Sequence, residues 1–280
     1  LYQHSPCWGL CSFDPFCITI RAYAALANAE ECFSIVVQDN PGLSATKRLP
    51  VLEHKGNFIS QEKILSYFEM KLELGLDADL SDMEKAEVFA IKSLIESKLY
   101  YYMLYFWFQD DNYREITRNL YTSTLVFPVS QVQMFLYQRS VIDQLEALHI
   151  DDDASVIQQA TDIYQCLSTL LGSNAYFYGS KPSSLDAVVF GHLSAQLYAP
   201  MPKHSLREEV QKFDNLVQFV ERNAQIVFGH VPDVEKEQKR LVEKRESSRK
   251  FWRNVLFSVG SVGIIFLIVT NINKEPRVME

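Results

Sequence analysis

Between Val255 and Thr270 the chain carries sixteen consecutive uncharged, mostly apolar residues, and such a run has few places to go in a protein that is otherwise acidic. At ~1.5 Å per helical residue it covers about 24 Å, and widening it to Phe251–Ile272 gives about 33 Å, enough to cross a hydrocarbon core of about 30 Å. Ser258, Gly260, Ser261 and Gly263 keep it moderately apolar, so Ile264 to Val269 supply most of the insertion energy. A buried core helix or a partner-binding helix is the competing reading. The flanks favour the membrane. Residues 234–253, VEKEQKRLVEKRESSRKFWR, hold eight bases against four acids, whereas beyond the run Lys274 and Arg277 cancel Glu275 and Glu280. This asymmetry keeps residues before 251 in the cytosol, with Trp252 and a snorkelling Arg253 at the interface. About ten residues follow the run, which implies a tail anchor inserted after translation. A short, modest span with basic flanks suits the mitochondrial outer membrane, and a longer, greasier one would suit the endoplasmic reticulum. Arg249, Lys250 and Arg253, the charges nearest the span, are the expected membrane-targeting residues.

The rest reads as a globular, mostly helical chain. With 48% hydrophobic residues among 280, a normal core can be filled, and only ten Gly and ten Pro leave long stretches such as Ser81–Gln109 unbroken. Subtracting the +4 of the basic segment from the net −8 leaves about −12 on residues 1–233, a surface that repels nucleic acid and suits basic partners. The five cysteines (7, 11, 17, 32 and 166) are odd in number and follow no secretory signal, which fits a reduced compartment. Cys7 and Cys11 are spaced C-x3-C, matching neither a zinc knuckle nor a redox pair, and the six histidines are scattered, so no metal site is expected. His192, on an apolar stretch, reads as a hydrogen-bonded core residue.

Along the chain, Pro15 opens a helix with Phe16, Ile20, Tyr23 and Ala24 on one face, and Asn28 stops it. ECFSIVVQ (31–38) reads as a strand, KRLPVLEHKGNFI as two strands around a Lys55-Gly56-Asn57 turn, and SQEKILSYFEMKL as a helix with Ile64, Leu65 and Phe68 inward. This βαβ then ββα order is that of a thioredoxin-like half. From Ser81 the pattern is helical throughout. Ser81 and Glu84 form an S-x-x-E box, and the aromatic run Tyr100–Phe108 reads as core packing rather than a ligand box. Further helices are expected near Tyr113–Leu125, Val129–Leu148 after Pro128, and Ala154–Leu171 with Gly172 as stop. An apolar, central helix opens at the S-x-x-D box of Ser183 and Asp186, and a last one spans Leu206–Arg222. The expected divisions are 1–75 thioredoxin-like, 76–233 all-helical, 234–250 basic, 251–272 transmembrane and 273–280 tail.

A thioredoxin-like half with Pro50 opening its third strand, followed by an all-helical half, resembles the glutathione transferase fold, an α+β class that is mostly helical. Within that superfamily the chain resembles the metaxins that end in a membrane anchor. WGLCSFDPFC at 8–17, FWFQDDNYREITRNLY at 106–121 with Phe127-Pro128 after it, and FYGSKPSSLDAVVFGHL at 177–193 carry the likeness. The resemblance implies a non-enzymatic subunit of the mitochondrial outer-membrane sorting and assembly machinery. Its partners would be a second metaxin and the β-barrel core subunit, in import and β-barrel insertion, with transport adaptors as a secondary connection.

The alternative is a membrane-anchored glutathione transferase-like enzyme. That chemistry needs a Ser, Tyr or Cys beside the first helix N-terminus, where a dipole and a donor lower a thiol pKa. Here Asp14 precedes Pro15, giving D-P-F where cysteine-using branches have C-P-F, and an anionic Asp14 would oppose a thiolate; Ser12 and Tyr2 are the remaining donors. The family's acidic-Ser pair falls on Ser60 and Gln61. Ser12, Asp14, Pro50, Ser60 and Gln61 therefore mark a degenerate glutathione site, with Pro50 expected cis. No catalytic residue, cofactor or metal is expected.

Overall fold

The computed structural model describes residues 1–38, 48–71, 75–122, 129–247 and 249–250. The expected span 251–272, Arg253, and the Phe127-Pro128 pair lie outside these residues. Contacts gather residues 1–234 into one unit and 235–280 into another.

In the first unit, β1 (Tyr2–Gln3), α1 (Pro15–Leu26), β2 (Val36–Val37), β3 (Val51–His54), β4 (Asn57–Ser60) and α2 (Gln61–Lys71) follow the expected order. The sheet runs β2-β1-β3-β4, with β1 and β2 parallel and the other pairs antiparallel. Lys55 and Gly56, both at positive φ, make the two-residue turn between β3 and β4. Leu49-Pro50 is cis, as expected. Two expectations need correction. ECFSIVVQ yields only Val36–Val37 as strand, because β1 offers just two residues to pair with and Glu30–Cys32 coils into a 3₁₀ turn. Leu65 is half-buried rather than inward, whereas Ile64 and Phe68 are fully buried.

The helical part begins with α3 (Asp82–Leu94), whose N-terminus carries the expected box: Ser81 Oγ accepts from Glu84 N at 3.3 Å, and Glu84 Oε2 accepts from Ser81 N at 2.7 Å. The rod widens into a π turn at Ile95–Leu99 before α4 (Tyr100–Trp107), which buries Tyr100, Tyr102, Met103, Leu104, Phe106 and Trp107. Trp8 meets Trp107 edge-on at 6.0 Å, so the aromatic run is core. Short α5 (Asp110–Asn112), a second π turn (Tyr113–Thr117) and α6 (Arg118–Thr122) follow, then α7 (Val129–Ala147) and α8 (Asp153–Leu171), the last closed by Gly172 at φ +56°. The expected helix over 206–222 is in fact two, α10 (Ser205–Val210) and α11 (Asp214–Phe228). The backbone opens at Phe213 (φ −113°, ψ 85°), which lets its ring meet Tyr164 at 6.3 Å. In the second unit, residues 235–247 are helical, with an Arg240–Glu237 pair at 3.2 Å.

The centre of the first unit is α9 (Ser184–Tyr198), buried at all fifteen positions. A helix with no wet face needs its terminal N–H groups satisfied internally. Asp186 does this: Oδ2 accepts from Ser183 N (2.7 Å) and Ser183 Oγ (2.6 Å), and Oδ1 accepts from Phe177 N (3.0 Å). Asp77 adds a second carboxylate, accepting from Ser184 N at 2.6 Å and Ser184 Oγ at 2.5 Å. Gly191 lets α1 lie against α9, since a Cβ there would come within 2.6 Å of the Pro15 carbonyl and 2.8 Å of Thr19 N, and closer still to Thr19 Oγ1. His192 sits in this interface, 1% exposed, with Nδ1 3.0 Å from the Val188 carbonyl and the Phe16 ring edge-on at 5.2 Å, the core role expected of it.

Gly191→Ala is expected to lose at least about 3 kcal/mol of unfolding free energy in urea titrations, because two backbones rather than flexible side chains must separate. Asp186→Ala should lose about 2–4 kcal/mol through the donors it strands. Burial pushes the His192 pKa down to about 4. The unfolded chain therefore binds the proton first, and the stability held by neutral His192 above about pH 6.5 drains away as pH falls toward 4. Relative to His192→Gln, the parent protein should lose about 3 kcal/mol across that window.

Candidate functional site

The N-terminus of α1 is where a transferase-like fold would present its thiol-activating group, and here the chain's own side chains occupy it. Asp14 caps α1, its Oδ1 accepting from Phe16 N and Cys17 N, both at 3.0 Å, with Pro15 in the first turn. Ser12 is fully buried, and its Oγ accepts from Asp14 N at 3.1 Å. The helix N–H groups that would stabilise an incoming anion are thus already bonded to a carboxylate. Burial raises the Asp14 pKa, opposed by His4 and by the two backbone N–H groups.

In front of Asp14 lies an aromatic stack. Phe13 packs on His4 at 4.7 Å and edge-on to Tyr121 at 5.0 Å, and Tyr121 continues to Tyr137 at 4.9 Å. Arg48, just before the cis bond, donates from Nη2 to Gln144 Oε1 at 3.0 Å, which also accepts from Tyr101 Oη at 3.2 Å. Burial pushes the Tyr100 and Tyr121 hydroxyl pKa values well up, keeping both neutral. Tyr2, the other possible donor, is committed elsewhere: its hydroxyl donates to Glu53 Oε2 at 2.8 Å.

Cys11 and Cys17, the thiols nearest the start of α1 in sequence, are unsuited to nucleophilic work. All five cysteines are free. Burial pushes the Cys11 pKa up to about 12 and that of Cys17 well above its usual range, where nucleophilic chemistry needs it lowered. Among the described residues no three His, Cys, Asp or Glu side chains are grouped to hold a metal ion.

Pro50 stands before β3, where Leu49 and Val51 join Cys17 in a buried cluster, while Ser60 ends β4 and Gln61 opens α2. Gln61 does not join the Ser12–Asp14 group in any hydrogen bond. It lines a separate cleft of about 190 Å³ between α1, α2 and the α3 rod, with Phe16, Ile20, Leu65, Glu62 and Glu96. Neither this cleft nor the Tyr121–Tyr137 stack is visible in the linear sequence, since each joins residues far apart in the chain. The density of tyrosines between 100 and 137 is the only trace of the second.

Comparison with known proteins agrees with this architecture. Residues 17–138 match a family described as outer mitochondrial membrane transport complex protein, and residues 160–223 match the glutathione S-transferase C-terminal domain. A metaxin-1 homolog from Caenorhabditis briggsae is 31% identical over 246 residues, covering 85% of this chain and 76% of its own. Metaxin-3 of Danio rerio is 30% identical (76% of this chain, 72% of its own), and metaxin-1 of Macaca fascicularis 32% (77% and 71%). Among solved structures, a glutathione S-transferase from Legionella pneumophila aligns over 83% of this chain and 100% of its own at 11% identity, with a TM-score of 0.48. With these relatives matched at 30% identity or more over most of both chains, the protein belongs to the metaxin family.

Proposed function

We propose that this chain is a non-enzymatic subunit of the mitochondrial outer-membrane sorting and assembly machinery, acting in protein import and β-barrel insertion beside a second metaxin and the β-barrel core subunit. A connection to adaptors for mitochondrial transport is secondary. The observation that carries the reading is the match of residues 17–138 to an outer-membrane transport-complex family, together with metaxin relatives over most of the chain.

The geometry at α1 supports the non-enzymatic part. An N-terminus capped by Asp14 has its Phe16 and Cys17 N–H groups already bonded and not free for a glutathione thiolate, and the Ser12 hydroxyl beside it is fully buried. Ser12, Asp14, Pro50, Ser60 and Gln61 are on this reading a glutathione site that lost its chemistry while the fold was kept. An apolar stripe left exposed on α7 (Val129, Val132, Phe135 and Leu136) fits a protein that works in an assembly.

On the same reading the chain divides at 75/76 into thioredoxin-like and all-helical domains. Residues 251–272 are a C-terminal anchor, and 234–250 are a basic segment that holds the bulk of the chain in the cytosol. Among the described residues no helix is long and apolar enough to cross a membrane, so the anchor rests on the composition of 251–272 and its charged flanks.

Affinity capture of the tagged full chain from mitochondria in gentle detergent is expected to recover a β-barrel core subunit and a second metaxin. Recovery of neither, with retention on glutathione resin and measurable thiol conjugation, would overturn the proposal. Neutralising Arg249, Lys250 and Arg253 together to Gln should divert a fluorescent fusion to other membranes. Unchanged mitochondrial localisation would contradict the targeting role of these charges.

A further inference from the structure

The cleft beside α1 has the wrong charge for glutathione and the right one for a cation. Its floor is apolar, formed by Phe16 and Ile20 of α1 and Leu65 of α2, and its walls carry Glu62, Glu96 and Gln61. Neither Glu62 nor Glu96 forms an ion pair among the described residues. Lys92, which also lines the cleft, donates its Nζ to Ser184 Oγ at 3.1 Å and lies near Glu69 as well as Glu96. One ammonium is therefore shared among carboxylates on two sides, and the Asp77 carboxylate beyond Glu69 is bonded to Ser184.

Gln61 adds a polar group that no protein partner occupies among the described residues. The residue is only 8% exposed, it lines the cleft, and its side-chain amide makes no hydrogen bond among the described residues. The amide keeps access to solvent and can exchange water for the donor of a ligand. Its carbonyl oxygen, with the carboxylates of Glu62 and Glu96, makes an acceptor set suited to N–H donors. The π turn at Ile95–Leu99 sets the direction of Glu96, since one widened turn rotates the residues within it relative to a regular helix. Burial raises the Glu96 pKa, with Lys92 opposing and Glu62 adding to the effect, as expected of a carboxylate lacking a close counter-ion.

Size selects among cations. At about 190 Å³ the cleft is smaller than the roughly 300–1,000 Å³ of sites for whole small molecules, while its apolar floor suits methylene groups below a charged head. Phe89, 74% exposed and also lining the cleft, places an aromatic side chain within reach of both the cleft and solvent.

We propose that this cleft receives a single basic side chain, lysine or arginine, presented by another polypeptide, with Glu62 and Glu96 neutralising its charge and Gln61 accepting a hydrogen bond from its head group. The site is independent of which complex the protein joins and of the Ser12–Asp14 region.

The test uses the full chain in non-ionic detergent micelles and saturation-transfer NMR with Nα-acetyl-arginine amide and Nα-acetyl-lysine amide, against neutral Nα-acetyl-citrulline amide and glutathione. Both cationic amides are expected to bind at least about fivefold more tightly than citrulline amide, and glutathione more weakly than either. Glu62→Gln, at an exposed position that leaves the fold intact, should weaken the cationic amides about threefold, and Glu62→Gln with Glu96→Gln about tenfold. Glu146→Gln, on the exposed face of α7, should leave binding unchanged. Equal binding of citrulline amide, wild-type affinity in the double variant, an equal loss in Glu146→Gln, or no signal from either cationic amide would each overturn the proposal.

Discussion

The close approach of α1 to α9 is the contact on which the remaining structure depends. At Gly191 no side chain holds the two backbones apart, and α1 is the helix packed most closely on α9, which is buried at every position. Burial in turn makes the start of α9 a liability, since free N–H groups there have no water to turn to. Asp186 and Asp77 resolve it with five hydrogen bonds between them, and Asp77 ties the stretch after α2 to the helical part in doing so.

The same economy of self-satisfaction governs the start of α1, with the opposite consequence for chemistry. At α9 a carboxylate at the helix N-terminus stabilises a buried element that no ligand needs to reach. At α1 it fills the position where a helix dipole could have acted on a bound thiol, while Phe13, next in sequence, packs against His4 and Tyr121. A fold whose catalytic helix end is capped from within retains the stability of that helix and loses its free donors.

Much of this was legible in the sequence because it is local. Pro15 after Asp14, the Lys55-Gly56 turn, the Ser81/Glu84 and Ser183/Asp186 boxes and Gly172 each act within a few residues, and each terminates or starts an element where its chemistry demands. What was not legible depends on partners distant in sequence. The Val36–Val37 strand is short because β1 is short, and the 211–213 break exists because Phe213 finds Tyr164. The π turns replace a regular helix in segments whose composition is ordinary. The Gln61–Glu62–Glu96 cleft needs α2 and the α3 rod to meet across α1, a juxtaposition that no spacing along the chain encodes.

α1 therefore serves three surfaces at once, and its composition reflects the division. Its side toward α9 admits Gly191, its N-terminus is closed by Asp14, and its remaining side gives Phe16 and Ile20 to the cleft floor. Phe16 joins two of these, being half-buried, edge-on to His192 and part of the cleft lining. Once the helix end is closed, the places left for recognition are the ones that do not stabilise the core: the acidic cleft walls and the exposed stripe of α7. Both can change without disturbing Gly191 or Asp186, so new partners can be acquired by a fold whose interior is already fully committed.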